Sequence, residues 1–257
     1  MATEYEHNLA NNDLSAAPFL SVLIPAKDEA GNLTRVLDEL IEHISAWSFE
    51  IIVIDDGSRD GTTEVLSALM ADRPWLRLIR HVESCGKSAA LSSGLQGAQG
   101  TLIVMLDGDG QNDPVYIPQL IEAVVAGGEG CGLAAGQRLQ RYDGWAKKYG
   151  SKLANRVRGS LLKDKTRDTA CGLKVIRREV YAKLPYFDTM HRFFPALVIR
   201  EGSSVAHVDV VDRKRLHGTS KYGIWDRLRV GLPDLFGVWW LRRRRKKIPQ
   251  PVEIERS

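Results

Sequence analysis

The sequence has few cysteines, and their placement argues against two kinds of site. Cys85, Cys131 and Cys171 are odd in number, lie far apart and form no C-x-x-C pair. A disulfide framework needs an even set, and zinc or redox sites commonly use closely spaced cysteine pairs. The sequence therefore predicts a protein of a reducing, cytoplasmic compartment.

Long hydrophobic runs are also missing. The most apolar stretch near the C-terminus, 231–241, is interrupted by Pro233 and Asp234 and falls short of the roughly 20 residues that span a bilayer. Residues 1–18 are polar and acidic, with no apolar segment of the kind that a secretory signal requires. We therefore expect a flexible leader at 1–18 and no membrane-spanning segment.

Apart from its C-terminal end, the chain has an ordinary globular composition. Its 257 residues are 44% apolar and 26% charged, which is enough for one substantial core. The formal charge is +4, but Arg242 to Lys247 are six consecutive cations, and without them 32 acidic residues face 30 basic ones. The basic character therefore belongs to the tail and not to the body of the protein.

Short apolar runs alternate with segments of helical spacing over the first half of the chain. This alternation predicts an α/β fold: a Rossmann-like, mostly parallel sheet with helices on both faces and ligand groups after the carboxyl ends of the strands. Beyond about residue 140 the pattern weakens to a basic helical segment at 143–162 and strand-like segments at 172–176 and 204–211. The earlier predicted strands are 19–24, 49–54, 76–79 and 101–106, and the helices are 29–44, 62–70 and 87–96.

The clearest sign of chemistry is a pair of carboxylates after the strand 101–106. Asp107 and Asp109 flank Gly108, and Gln111 offers a further oxygen from the same loop. Two anions this close repel each other unless cations compensate them, and hard divalent ions prefer oxygen ligands. A polar turn is the alternative, because Asp and Gly are common turn residues. After a buried strand, the pattern favours a metal and diphosphate site that includes Gly108.

A second acidic motif follows the strand 49–54. Asp55 and Asp56 precede Gly57 and Ser58. A carboxylate at a strand end can accept hydrogen bonds from a nucleobase or ribose, and glycine lets the backbone approach a ligand. The alternative is a helix N-cap, since Ser58 and Asp60 are good capping residues, and both roles can hold together.

Four motifs occur at 24–29, 55–58, 86–90 and 107–111, and three later ones at 168–172, 191–195 and 215–222. The first four resemble the family 2 inverting glycosyltransferases with a GT-A fold, over about residues 19 to 140. The three later motifs resemble the polyprenyl-phosphate branch that dolichol-phosphate mannosyltransferase typifies. The sequence departs from the usual pattern at Lys27-Asp28 and at Leu173-Lys174, where Tyr-Asn and an aromatic-arginine pair are common.

The resemblance implies a division of labour along the chain. One glycosyltransferase domain is expected at 19–224, in which 19–140 binds the nucleotide sugar and 141–224 faces the acceptor. Asp107, Asp109 and Gln111 would bind Mg²⁺ or Mn²⁺ and serve the diphosphate. The nucleotide pocket would be lined by Pro25, Ala26, Glu29, Asp56 and Lys87, and phosphates of donor or acceptor would be held by Arg138, Ser151, Arg215, Ser220 and Lys221.

The implied reaction transfers a sugar from a GDP- or UDP-sugar to a polyprenyl phosphate. Asp168 resembles an acidic residue that serves as base or orienter, but a phosphomonoester is already largely ionised at pH 7. Direct attack by the lipid phosphate on the anomeric carbon would invert the configuration there. The candidate catalytic residues are Asp107, Asp109, Asp168, Arg215 and Lys221.

The C-terminal segment 225–257 has two interpretations. Its tryptophans and basic run suit a peripheral contact with anionic lipids at the cytoplasmic membrane face. A docked amphipathic helix with a solvated basic end is the alternative, and a homo-oligomer or a membrane partner subunit could also cover it.

Three rival functions differ in the chemistry that they explain. A nucleic-acid-binding protein would explain the basic tail, but not the strand-end carboxylates, which repel phosphate without a metal, so no nucleic acid is expected. A glycosyltransferase with a soluble or polysaccharide acceptor would keep the donor site. A sugar-nucleotide-binding protein without turnover is the third possibility.

Overall fold

The computed structural model describes residues 17–139, 158–213 and 224–244, and its centre is a seven-stranded sheet. The strands are β1 (Leu20–Ala26), β2 (Phe49–Asp56), β3 (Leu76–His81), β4 (Leu102–Met105), β5 (Cys131–Arg138), β6 (Lys174–Arg177) and β7 (Ser204–Val210). Their order across the sheet is β3-β2-β1-β4-β6-β5-β7. β6 is antiparallel to both of its neighbours, and every other pairing among these strands is parallel.

Helices cover both faces of the sheet. Successive side chains of a strand point to opposite faces, so Val22 of β1 packs into one apolar core and Leu23 into another. The first core includes residues of α1, α2 and α4, and the second includes residues of α3, α5 and α6. These helices are α1 (Ala30–Ile44), α2 (Thr62–Met70), α3 (Lys87–Gly97), α4 (Ile117–Ala126), α5 (Phe194–Arg200) and α6 (Ile224–Arg243). Shorter helical segments are Pro114–Tyr116, 158–162, Arg178–Tyr181 and Met190–Arg192.

The predicted α/β architecture is confirmed, with small shifts at the ends of elements. α2 has the predicted bounds, whereas β2 continues through Asp55 and Asp56 and so places both aspartates inside the strand. The segment expected to be strand-like at 172–176 is β6, which runs opposite to its neighbours. Residues 143–157 of the predicted basic helix and residues 1–16 of the predicted leader lie outside the described residues. No helix within the described ranges combines the length and the apolar character needed to cross a bilayer.

Polar residues lie together at one edge of the sheet, the edge at which the parallel strands end. Parallel strands bring their carboxyl ends to the same edge, and the reversed β6 brings its first residue there instead of its last. Lys174 accordingly pairs with Met105, the last residue of β4. The residues at or just after the strand ends here are Ala26, Asp56, Asp107, Arg138 and Asp212.

Candidate active site

Asp107 lies at this edge between a lysine and a glycine. Its Oδ1 accepts a hydrogen bond within an ion pair from Lys87 Nζ, at the start of α3. On its other side, a Cβ at Gly172 would lie 2.4 Å from Asp107 Oδ2 and 2.6 Å from Asn112 Oδ1. Asn112 Oδ1 also accepts from the Asp107 backbone N–H at 3.2 Å. The fold therefore brings the 168–172 motif directly against the 107–111 motif.

Nearby cations decide the charge of Asp107. Burial raises the pKa of this carboxyl, but attraction to Lys87 and its hydrogen bond lower the pKa more, with further help from Lys174 and Arg138. The resulting pKa lies below the ordinary value for aspartate. Asp107 is therefore ionised at neutral pH and is the kind of hard oxygen ligand that Mg²⁺ and Mn²⁺ prefer.

Hydrogen bonds within the 107–111 loop and from Arg213 hold the rest of this loop in place. Asp109 is only 8% exposed, and its Oδ1 accepts from the Gln111 backbone N–H at 3.0 Å. The Gln111 carbonyl accepts from the Arg213 N–H at 2.8 Å, and the Arg213 guanidinium pairs with Asp113 and with a glutamate of α1. The three predicted metal-binding residues therefore lie on one braced loop.

The Arg138 guanidinium joins two carboxylates. Its Nε and Nη2 donate to Asp168 at 2.5 and 3.0 Å, and its Nη1 donates to Asp212 at 3.1 Å. Asp212 also accepts from Asn112 Nδ2 at 3.3 Å, which connects this network to the Asp107 loop. Arg138 thus has a carboxylate partner at each of its three nitrogens, and a phosphate contact by Arg138 stays a prediction.

Asp212 belongs to no motif that the sequence displays. Burial raises the pKa of its carboxyl, and the attraction and hydrogen bond of Arg138 offset this only in part, so the pKa stays above the ordinary aspartate value. Its position two residues after the end of β7 is the signal that would have identified it, since polar residues after parallel strands gather at this edge.

Asp56 organises the loop beside the site. Its Oδ1 accepts from the Cys85 N–H and lies 2.8 Å from His81 Nδ1, and its Oδ2 accepts from the Ser84 hydroxyl and the Gly86 N–H. Burial raises the pKa of Asp56, but these hydrogen bonds outweigh it and leave the pKa below the ordinary value. The partners shown for Asp56 lie within the protein, and the predicted nucleotide contact would have to be made in addition to them.

Asp55 fixes the preceding turn. It is fully buried, its Oδ1 accepts from the Ser58 N–H at 2.8 Å, and its Oδ2 accepts from the Thr63 hydroxyl. Gly57 has a φ of 70°, and a Cβ there would lie 2.8 Å from the carbonyl carbon of Glu83. The motif therefore packs two loops tightly together. The N-cap residue of α2 is Gly61 and has no side-chain capping hydrogen bond, so the expectation that Ser58 or Asp60 caps this helix is wrong.

The other residues predicted to line the nucleotide pocket surround the end of β1. Pro25 and Ala26 lie against Gly108, where a Cβ would be 3.4 Å from the Pro25 carbonyl oxygen and 3.5 Å from Ala26 Cβ. Glu29 precedes α1, and its side chain accepts from Asn32 Nδ2 at 2.6 Å. A polar groove of about 500 Å³ opens nearby, a volume suited to a nucleoside. It is lined by Lys27, Asp28, Gly57, Ser58, Arg59, Arg80, Val82, Glu83 and Ser84.

Lys174 is a buried cation that the sequence analysis did not propose for the site. It is 4% exposed and its Nζ donates to the Cys171 carbonyl. Burial lowers the pKa of Lys174 and repulsion from Lys87 adds to this, whereas attraction to Asp107 and Asp168 opposes both. The ammonium therefore lies within electrostatic reach of the two carboxylates most closely tied to the predicted chemistry.

Replacing Lys174 with methionine is expected to lower turnover about tenfold or more. The substitution keeps the length of the buried chain but removes a positive charge from a site where preorganised charges have large effects. Lys174→Arg keeps the charge and should retain most of the activity. Initial rates together with thermal unfolding would test this, and a methionine variant as active as the wild type would show that the charge is not used.

His191 contacts the residue that follows Lys87. Its Nδ1 lies 2.8 Å from the Ser88 hydroxyl, and burial lowers its pKa well below the ordinary histidine value, with repulsion from Lys87 and Lys174 acting in the same direction. His191 is therefore neutral at pH 7 and ties the 191–195 motif to α3. Four predicted phosphate-binding residues, Ser151, Arg215, Ser220 and Lys221, lie outside the described residues.

A sequence model described as glycosyl transferase family 2 matches residues 21–184. A dodecaprenyl-phosphate galacturonate synthase of Rhizobium johnstonii is 32% identical over 251 residues, which cover 95% of this chain and 73% of the relative. An undecaprenyl-phosphate 4-deoxy-4-formamido-L-arabinose transferase of Aeromonas hydrophila is 32% identical over 208 residues, which cover 80% and 63%. The chain thus spans less than two thirds of the length of the second relative and 73% of the length of the first.

Solved structures with a similar fold include glucosyl-3-phosphoglycerate synthase from Mycobacterium tuberculosis. Its complex with Mn²⁺, UDP and phosphoglyceric acid matches 96% of this chain and 84% of its own with a TM-score of 0.65 and 19% identity. Its complex with Mg²⁺ and UDP matches 94% and 83%, again with a TM-score of 0.65 and 19% identity. At this identity, the similarity shows that the α/β fold is shared.

Proposed function

Since the chain belongs to glycosyl transferase family 2, we propose that its carboxyl-edge site transfers a sugar from a nucleotide diphosphate to a polyprenyl phosphate. The observation that carries this proposal is the position of Asp107, which pairs with Lys87 on one side and packs against the backbone of Gly172 on the other. The names of both relatives pair a sugar with a polyprenyl phosphate, which supports the same acceptor here. The product would be a lipid-linked sugar for cell-envelope glycan synthesis.

The residues of the loop fit a hard divalent metal. Asp107, Asp109 and Gln111 offer oxygen atoms from their side chains, and Gly172 lets the backbone pack closely against Asp107 without a side chain of its own. These three residues would hold Mg²⁺ or Mn²⁺. When bound, the ion would neutralise charge on the departing nucleoside diphosphate.

The protein's own groups orient and stabilise an in-line displacement. A lipid phosphate oxygen, already anionic near pH 7, attacks the anomeric carbon while the bond from that carbon to the diphosphate oxygen breaks. One bond forms as the other breaks, so the configuration inverts and no proton must be removed. Lys87 pairs with Asp107 and Lys174 lies within electrostatic reach of it, and both side chains would stabilise the charge that develops on the departing diphosphate.

Asp168 would then act as a positioning residue and not as a base. Both of its oxygens accept from Arg138, and the attacking phosphate needs no deprotonation. We expect Asp168→Asn to lower turnover less than Asp109→Asn does, and to lower the free energy of unfolding by about 2 kcal/mol because a buried ion pair is broken. Steady-state rates and urea unfolding measure the two effects, and equal losses of turnover for both variants would argue for a general base.

Acceptor competition separates this function from its nearest rival. Polyprenyl phosphate, the matching polyprenol without phosphate, and a soluble sugar acceptor should be offered in parallel with the same donor. Product is expected only when polyprenyl phosphate is the acceptor. Product from the soluble acceptor would support the alternative that the acceptor is a soluble or polysaccharide molecule.

The membrane-linked acceptor implies where the enzyme works. We place it at the cytoplasmic face of the membrane as a peripheral protein that contacts anionic lipids. Nucleic acid is not expected among its partners. A homo-oligomer or a membrane partner subunit is compatible with this placement. The proposed donor is a GDP- or UDP-sugar.

A further inference from the structure

The C-terminal helix α6 is packed on the protein along one side. Leu235 and Val238 are 7% and 1% exposed and belong to the core shared with α5. The Thr189 hydroxyl donates to Asp234, and Arg200 Nε donates to the Leu241 carbonyl at 3.1 Å. These contacts hold α6 in one orientation and confirm the docked-helix interpretation for its described part.

The solvent-exposed side of α6 presents a row of large apolar side chains. Leu232, Phe236 and Trp240 are 53%, 61% and 53% exposed. Their spacing of four residues places them one above another on a single helix face, over about 12 Å of its length. An ordered helix that presents three such residues in a row has an apolar surface without a partner in the described chain.

Cations adjoin this row. The Arg243 guanidinium lies 4.0 Å from the centre of the Trp239 ring, and the Arg244 guanidinium lies 5.5 Å from the centre of the Trp240 ring. They belong to the run of six cations from 242 to 247. Tryptophan and arginine side by side match the chemistry of a membrane interface, where rings lie at headgroup level and cations meet anionic lipids.

We propose that the α6 face, formed by Leu232, Phe236, Trp240, Arg243 and Arg244, docks onto the surface of an anionic bilayer with the helix axis parallel to the membrane. The three apolar side chains enter the headgroup boundary, and the two arginines contact anionic headgroups. This face is a surface that the proposed function requires, although helix geometry and charge identify it independently of the sugar transfer.

The same helix is connected to the active site through two hydrogen bonds. Thr189 is held by Asp234 of α6, and two residues later His191 contacts Ser88, the neighbour of Lys87. These bonds link α6 to the segment that carries His191 and to the start of α3. A polyprenyl phosphate embedded in a bilayer docked on α6 would present its phosphate from the membrane surface without leaving the bilayer.

A double variant tests the face directly. Phe236→Ser with Trp240→Ser is expected to weaken binding to vesicles containing phosphatidylglycerol about tenfold or more in a sedimentation assay. Val125→Ser is a matched control, because Val125 is 53% exposed on α4, across the sheet from α6. Thermal unfolding should be unchanged in both variants, since the replaced side chains are exposed.

Two acceptors separate the docking face from the proposed reaction. The double variant should lose transfer to vesicle-embedded polyprenyl phosphate and keep transfer to a water-soluble, short-chain prenyl phosphate. Vesicle binding equal to that of the wild type would overturn the docking face. A dimer of the wild type that the double variant loses, with vesicle binding unchanged, would assign the face to a second copy. Wild-type protein that binds vesicles but glycosylates neither acceptor would instead overturn the proposed function.

Discussion

Replacing Asp109 with asparagine is expected to lower kcat/KM on the order of 10³-fold without unfolding the protein. Asparagine keeps an oxygen that can accept from the Gln111 N–H, so the hydrogen bond that shapes the loop is preserved. What is lost is the negative charge of a nearly buried carboxylate that is predicted to bind the metal. The result therefore isolates charge from loop structure.

Asp38→Asn is the matched control for this variant. Asp38 pairs with Arg73 on the outside of α1, and its side chain is 54% exposed, so the same chemical change there should leave both activity and stability nearly unchanged. An Asp109→Asn enzyme within about tenfold of the wild type, with the control equally active, would remove Asp109 from the metal site. Circular dichroism and thermal unfolding would confirm that both variants are folded.

Gly172→Ala is expected to reduce activity about 100-fold or more. The added methyl group would lie 2.4 Å from Asp107 Oδ2 and 2.6 Å from Asp107 Cγ, so the carboxylate would have to move. A displacement of about 1 Å at a catalytic group can cost two orders of magnitude. Initial rates at saturating donor and acceptor measure the effect, and restored activity at high Mn²⁺ would locate the damage in metal binding.

The control for the glycine variant is Gly159→Ala. Gly159 lies in the helical segment 158–162, and a Cβ there would have nothing within 4 Å. Alanine is the better helix former, so this change should be neutral or slightly stabilising. If Gly172→Ala were as active as Gly159→Ala, the close contact with Asp107 would not matter for catalysis.

Hydrophobic patterning predicted the parallel part of the sheet because each strand is a short apolar run with a polar motif after it. That rule located Asp56 and Asp107 at the correct edge. It missed Lys174, because β6 runs the other way and presents its first residue at the site. Strand direction depends on pairing across the sheet, which local sequence does not determine.

The partners of individual side chains were less accessible to the sequence. The family resemblance implies a phosphate contact for Arg138, and in the structure the nitrogens of its guanidinium donate to Asp168 and Asp212. Asp212 is 74 residues from Arg138, and only folding brings the two together. Motif position therefore predicted which polar residues meet at the carboxyl edge of the sheet, but not which groups balance each other's charge.

The most direct test of the account is transfer of radiolabelled sugar from a panel of GDP- and UDP-sugars into lipid extracts containing undecaprenyl or dolichyl phosphate. With Mn²⁺ or Mg²⁺ present, one donor is expected to yield a lipid-linked sugar. EDTA should abolish the product and excess metal should restore it. Product that persists in EDTA would contradict the metal site at Asp107 and Asp109, and donor hydrolysis without lipid product would contradict the polyprenyl phosphate acceptor.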